Sequence, residues 1–220
     1  TCFHIFLLVF FLGFNLSAEL VYTNLLECLD LADVPIHTAN REPDDPFVIV
    51  GGHCTYNPEP IADFIDAAVL GDGEEVVSDI PETILRWKNS DRSSRESILR
   101  ELATIPGVYV PFAYIPVYEK QELISISPRF PETPEIVEKR TISDLAEWPY
   151  PKQQLVPLTE VVHDRLNVEV FRGCTRGCRC CQAGMITRPV RERSLDQVRT
   201  MVSEGLRRTG YDQVALTSLS

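Results

Sequence analysis

The sequence predicts an α/β chain: a partial doubly wound parallel sheet, a helical and proline-rich linker, and the opening β-α-β unit of a second sheet. Three observations predict it. Short apolar runs stopped by glycines, PFVIVGG at Pro46–Gly52 and AAVLGDG at 67–73, alternate with stretches of helical periodicity. Prolines then crowd the chain between Pro128 and Pro157, and periodicity fades. It returns between Leu166 and Ser220 as strand, cysteine-rich loop, helix and strand. The three parts read as residues 1–80, 81–157 and 158–220.

In chain order, residues 5–14 read as a buried strand inside the apolar run Phe3–Phe14. That run is shorter than the roughly 20 residues of a membrane helix. It has the length of a signal-peptide core, but no Lys or Arg precedes it. Ser17 is the expected N-cap of a helix whose Leu20, Val21, Leu25, Leu29 and Leu31 recur at roughly helical spacing. Cys28 lies among them as an expected core residue, and Pro35 ends the segment. PFVIVGG has the profile of a parallel strand buried on both faces. A short helix at 60–66, a strand at 67–70 and the Gly71-Asp72-Gly73 turn follow. Ligands of such sheets sit at the carboxyl ends of the strands, so Gly51 and Gly52 are candidate cofactor contacts. His53 and Cys54 read as turn residues in preference to a cofactor contact, and Asp72 and Glu74 as a turn and helix start in preference to a role as acids.

Residues 74–105 read as two helices parted by NSDRSS, and 107–130 as short, proline-interrupted strands forming an edge hairpin. The stretch 128–157 is expected to wrap a surface without forming a core. LNVEVFRGC (Leu166–Cys174) alternates as a strand that feeds the cysteine loop. Ser194 caps the next helix, Val198, Met201, Val202 and Leu206 form its apolar face, and Gly210 stops it. DQVALTSLS is the second strand of the unit. One such unit cannot cover both faces of its sheet, so the chain reads as an internal fragment.

Hydrophobic content of 44% and charged content of 24% are ordinary for a soluble domain. A net charge of −11 argues against affinity of the whole chain for nucleic acid, and no membrane partner is expected. Yet Arg165–Arg208 holds ten Arg against four Asp or Glu, so the cysteine region is locally basic. Arg188, Arg191 and Arg193 read either as contacts for a carboxylate or acidic partner or as surface charge; His163 takes no role. Of seven cysteines, four bunch at 174, 178, 180 and 181, which suits a reducing, cytoplasmic compartment better than a disulfide scaffold.

The spacing is Cys174-x3-Cys178-x2-Cys181, with Cys180 between the last two. Thiolates suit zinc, copper(I) or iron–sulfur clusters. A closed zinc site needs four ligands, usually from two separated knuckles, and no second knuckle is visible. Three cysteines can instead wrap one corner of an iron–sulfur cube, each taking its own iron and leaving the fourth open. Arg172, Arg176 and Arg179 would offset the negative charge of a cluster. Zinc and unliganded structural thiols are the other readings.

This motif, after a strand and before a helix, resembles the signature of the radical S-adenosylmethionine (radical SAM) superfamily. GCTRGCRCCQAGMITRPVRERS, ELVYTNLLECLDLADVPI and DDPFVIVGGHCTYNPEPIADFIDAAVLGDGEE are similar to a subfamily with an N-terminal cobalamin-binding-like domain. The resemblance implies that the first sheet is of that type and that the second begins a partial TIM barrel. It implies a [4Fe-4S] cluster on Cys174, Cys178 and Cys181 and S-adenosylmethionine on the open iron. It also implies a 5′-deoxyadenosyl radical, an unidentified substrate, and an electron donor such as flavodoxin or ferredoxin. Methyl transfer, methylthio transfer and rearrangement are all open, cobalamin is a candidate cofactor, and the fragment alone is expected to be inactive. Cys180 departs from the family, which places an aromatic residue there near the adenine; it is either a cofactor neighbour or a substitute ligand for Cys181. Thr217, Ser218 and Ser220 fall at the strand end that meets the methionyl amine in the family. The alternative is an electron-transfer or binding module that does not cleave S-adenosylmethionine.

Overall fold

The computed structural model describes residues 10–90, 94–152, 154–159 and 161–218, in two compact units, Thr1–Thr141 and Ile142–Ser220. Both mix strands and helices as the patterning requires. Most of the run Phe3–Phe14, and Ser220, lie outside the described residues.

The first unit is built on strands β1 (Phe11–Asn15), β2 (Phe47–Gly51), β3 (Ala67–Val69) and β4 (Val108–Tyr109), in that spatial order. β1, β2 and β3 run parallel, with Phe11 opposite Phe47 and Ile49 opposite Ala67. β4 pairs antiparallel with β3, Ala68 opposite Tyr109. The sequence did not separate this edge strand from the hairpin that follows it, because GVYV and AYIPVY share one apolar texture. Phe47, Val48 and Val50 are fully buried, as a strand covered on both faces must be.

Helix α1 (Tyr22–Leu31) starts later than expected. A 3-10 turn, Glu19–Val21, precedes it, and no side chain caps either start, so Ser17 is not an N-cap. Leu25 and Leu29 are buried, whereas Leu20 and Leu31 are exposed. Two residues turn a helix by about 200°, so Leu29 and Leu31 cannot share a face. Cys28 is also exposed, correcting its expected place in the core. Between β2 and β3 the expected helix is a 3-10 segment, Glu59–Phe64, with proline at its start. Helix α2 (Val76–Lys88) lays Trp87 edge-on to Phe47, ring centroids 5.8 Å apart. Helix α3 (Arg95–Leu102) opens on a capping box between Ser94 and Ser97.

A buried ion network ties the starts of β2 and β3. Asp66 Oδ2 accepts from Arg41 (2.7 Å) and from the Val48 amide (2.8 Å), and Oδ1 accepts from Arg95 (3.0 Å). Arg41 also donates to the carbonyls of Pro35, Ile36 and Phe64. Burial pulls the Arg41 guanidinium below its ordinary pKa, against the opposing charge and hydrogen bond of Asp66.

Strands β5 (Tyr114–Glu119) and β6 (Glu122–Pro128) form the expected hairpin, turned by Lys120 and Gln121, both at positive φ. The proline-rich stretch then returns to the sheet. The Arg140 amide donates to the Leu70 carbonyl (2.9 Å), and the Asp72 amide donates to the Arg140 carbonyl (2.9 Å). Gly71, at φ 99°, must be glycine, because a Cβ there would collide with that carbonyl oxygen. The Arg140 side chain pairs with Glu75 (3.0 Å) and Asp79 at the start of α2.

The second unit is a β-α-β layer: β7 (Leu166–Glu169), α5 (Leu195–Thr209) and β10 (Val214–Thr217), with β7 and β10 parallel. Ser194 Oγ accepts from the Gln197 amide (3.2 Å), and Gly210 ends the helix at φ 77°. Met201, Leu166 and Val168 form the core. A Cβ on Gly205 would stand 2.6 Å from Leu166 Cδ2, so the missing side chain lets the helix ride close to the strand. No helix among the described residues is long and apolar enough to cross a membrane.

Candidate cluster site

β7 delivers the chain through Val170 to β8 (Phe171–Arg172) and then to the cysteine loop. Past the short helix α4 (Ala183–Ile186), β9 (Arg191–Glu192) folds back antiparallel on β8, Arg172 opposite Arg191. The loop therefore begins and ends at one point. Gly173 sits at φ 92°, and a Cβ on it would meet the Pro189 carbonyl oxygen at 2.5 Å, so the two ends touch through bare backbone.

Cys174 is buried, Cys181 half-buried, and Cys178 and Cys180 are exposed. The Arg176 amide donates to Cys174 Sγ (3.4 Å) and the Gly184 amide to Cys181 Sγ (3.3 Å). Cys174 and Cys181 flank Gly184, where an added Cβ would lie 3.5 Å from Cys181 Sγ and 3.8 Å from Cys174 Cβ. Among the described residues no three His, Cys, Asp or Glu side chains converge on a single-ion site. A cube makes a different demand: each thiolate takes its own iron, so the sulfurs stand apart. Three thiols on one glycine-bent loop, two of them already receiving amide donors, fit that donor set.

The arginines behave otherwise than their spacing suggested. Arg172 is held by Glu169, at 2.7 Å and 3.2 Å, so its charge is already matched. Arg191 and Arg193 are buried and are not surface charge. Arg191 donates to the carbonyls of Ile142, Thr187 and Pro189, and Arg193 to the carbonyl of Leu145 and to Glu169. Arg188 Nε donates to the Cys174 carbonyl (3.0 Å). Arg176 and Arg179 remain exposed. Sequence reasoning gave Glu169 no part; its place on the last residue of a strand, three before an arginine, was the available signal.

Burial pushes the Glu169 carboxyl up, but hydrogen bonds and charge from Arg172 and then Arg193 outweigh it and hold it below its ordinary range. A lowered folded pKa stabilises the fold fully above the unfolded value, and that stability is lost as pH falls through the folded one. Glu169→Gln is therefore expected to melt below wild type at neutral pH, with the gap closing in acid; melting curves across that range check it.

Thr217, opposite Glu169 in register, closes β10 and is exposed, as is Ser218. The Val170 amide donates to the Thr217 carbonyl (3.1 Å), so the hydroxyl-bearing strand end lies beside the strand that feeds the cysteines.

In the first unit, a pocket of about 390 Å³ opens at the carboxyl ends of β1, β2 and β3. Gly13, Gly51, Gly52 and Gly73 line it, with Phe14 and Val76 among its apolar walls. A Cβ on Gly13, Gly51 or Gly73 would touch nothing within 4 Å, so these glycines form an open floor. At Gly52, φ 104°, an added Cβ would instead collide with Asn15 Oδ1 and the Leu16 carbonyl. His53 and Cys54 lie outside the lining.

Residues 8–111 match the family of radical SAM proteins, N-terminal region. That stretch is similar to a radical SAM N-terminal domain. The uncharacterized protein MJ0966 of Methanocaldococcus jannaschii is 29% identical over 173 residues, covering 78% of this chain and 31% of its own length. The chain thus spans about a third of the curated relative it matches. Among solved structures, the radical S-adenosylmethionine methyltransferase TsrM from Kitasatospora setae, with cobalamin and a [4Fe-4S] cluster bound, aligns over 99% of this chain and 39% of its own. The TM-score is 0.53 at 14% identity, a likeness of fold. The glycine-floored pocket lies within the matched residues, and the cysteine loop follows them in the chain.

Proposed function

We propose that the protein containing this chain is a radical SAM enzyme whose cluster ligands are Cys174, Cys178 and Cys181. The observation that carries this reading is the loop itself: three thiols closed on β8 and β9, with amides donating to two of the sulfurs. A [4Fe-4S] cluster held there would supply the electron that cleaves S-adenosylmethionine to a 5′-deoxyadenosyl radical. The chain contributes position and surroundings. Cys174 is buried and fixed through both its carbonyl and its sulfur, so it would set the depth of the site. Cys178 and Cys180 face outward, Cys181 is the third ligand, and Cys180 is its neighbour on the cofactor side. Thr217 and Ser218 offer hydroxyls at the adjoining strand end for the methionyl amine.

The backbone floor at Gly51 and the apolar walls of that pocket support a place for one face of a flat macrocycle, with Gly52 at its edge. Cobalamin is the macrocycle we assign to it, and the donor of electrons is a flavodoxin- or ferredoxin-type protein.

Anaerobic reconstitution of the full-length protein with iron and sulfide tests the reading. About four irons per chain are expected, with an EPR signal that S-adenosylmethionine perturbs and 5′-deoxyadenosine formed when dithionite is added. A protein that takes up no iron, or a cluster indifferent to S-adenosylmethionine, overturns it.

A further inference from the structure

Each of the three guanidiniums of RPVRER at 188–193 donates to at least one backbone carbonyl. Arg188 reaches the first cysteine of the loop. Arg191 binds Thr187 and Pro189, on the returning arm, and also Ile142, 49 residues upstream. Arg193 reaches Leu145, 48 residues upstream, at 2.6 Å, while its other terminal nitrogen holds Glu169 at the end of β7. Ile142 and Leu145 are themselves buried, so the upstream segment is seated as well as tethered. All of these groups belong to the second unit.

A charge that served a cluster or an anion would face an open site. Arg191 and Arg193 are instead buried, Arg191 turned to carbonyls and Arg193 to a carbonyl and to Glu169, which already matches its charge. The fork of a guanidinium lets the Arg191 side chain bind three carbonyls on two separate stretches of backbone, which a single ammonium does not reproduce. We propose that Arg188, Arg191 and Arg193 are positioning residues: they lock the cysteine loop to the Ile142–Leu145 segment and hold Cys174 buried before any cluster arrives. The value of this lock for cluster binding rests on the reading of the loop as a cluster site, but the lock itself does not.

The test starts with the full chain, reduced and free of iron, treated briefly with iodoacetamide and read by mass spectrometry cysteine by cysteine. In the wild type, exposed Cys178 and Cys180 label fast and Cys174 slowly. Arg191→Lys keeps the charge and loses the fork. Losing hydrogen bonds made by a charged group is expected to raise the labelling rate of Cys174 about tenfold or more. Cys178 and Cys180 should not change, and neither should buried Cys54, which reports the first unit. Hydrogen exchange of the β7 and α5 amides reports the core of the second unit. Should Arg191→Lys lose that protection, Arg188→Lys, which removes the Nε bond to the Cys174 carbonyl, decides by the same ratio. In reconstituted protein, Arg191→Lys should yield its iron to a chelator several-fold faster than Arg176→Gln, a change at an exposed arginine of the same loop.

Cys174 labelling at the wild-type rate with the core intact overturns the lock. So does iron release no faster than from Arg176→Gln. A wild-type protein that takes up no iron would remove the cluster reading, while the labelling ratio would still decide the lock.

Discussion

Cys174→Ala in the reconstituted full-length protein is expected to abolish the iron chromophore, and Cys180→Ala to leave it close to wild type. Each thiolate of a three-cysteine cube holds a different iron, so no neighbour can stand in for a missing one without the loop being redrawn. Cys174 is the extreme case. Its sulfur accepts from an amide, its carbonyl accepts from Arg188, and it is the buried member of the set. Cys178→Ala and Cys181→Ala are expected to give the same loss by metal analysis. Cys180 is exposed, and among the described residues no amide donates to its sulfur. Iron retained by Cys174→Ala, or lost from Cys180→Ala, would reassign the ligands.

Asp66→Ala is expected to cost about 3–5 kcal/mol, the range for removing one partner of a buried ion pair. That is a large part of the roughly 5–15 kcal/mol that holds a domain folded. The reason is what remains. The Arg41 side chain is wholly buried and that of Arg95 is 10% exposed, so both cations lose their anion without gaining water. The Val48 amide loses its acceptor in the same step. Urea unfolding followed by far-UV circular dichroism checks this: the midpoint should fall sharply with little change in slope. A midpoint shift worth less than about 1 kcal/mol would place Asp66 among ordinary surface pairs.

What the sequence disclosed follows from the range of each signal. β2 was legible because a β-branched run ended by two glycines has few other uses. α5 was legible because Ser194 and Gly210 mark its ends within the segment itself. The cysteine loop was legible from spacing alone. The start of α1 was not, since a 3-10 turn and an α turn ask for similar residues over three positions. The arginines at 191 and 193 misled for a different reason. Their partners are carbonyls nearly fifty residues away, and a carbonyl belongs to every residue, so no side-chain pattern announces it. The return of Arg140 to β3 was hidden in the same way, except for one trace: a glycine at 71 that the turn alone did not require.

The seat for Arg140 also bears on the order of events as the chain is made. The notch lies between Gly71 and Gly107, both at positive φ, and it takes shape when β3 and β4 pair. Synthesis runs from the amino end, so all four strands leave the ribosome before residue 140 does. The strap seats its own backbone in a gap that bare glycine keeps clear, and the last piece of the unit to be translated becomes its latch.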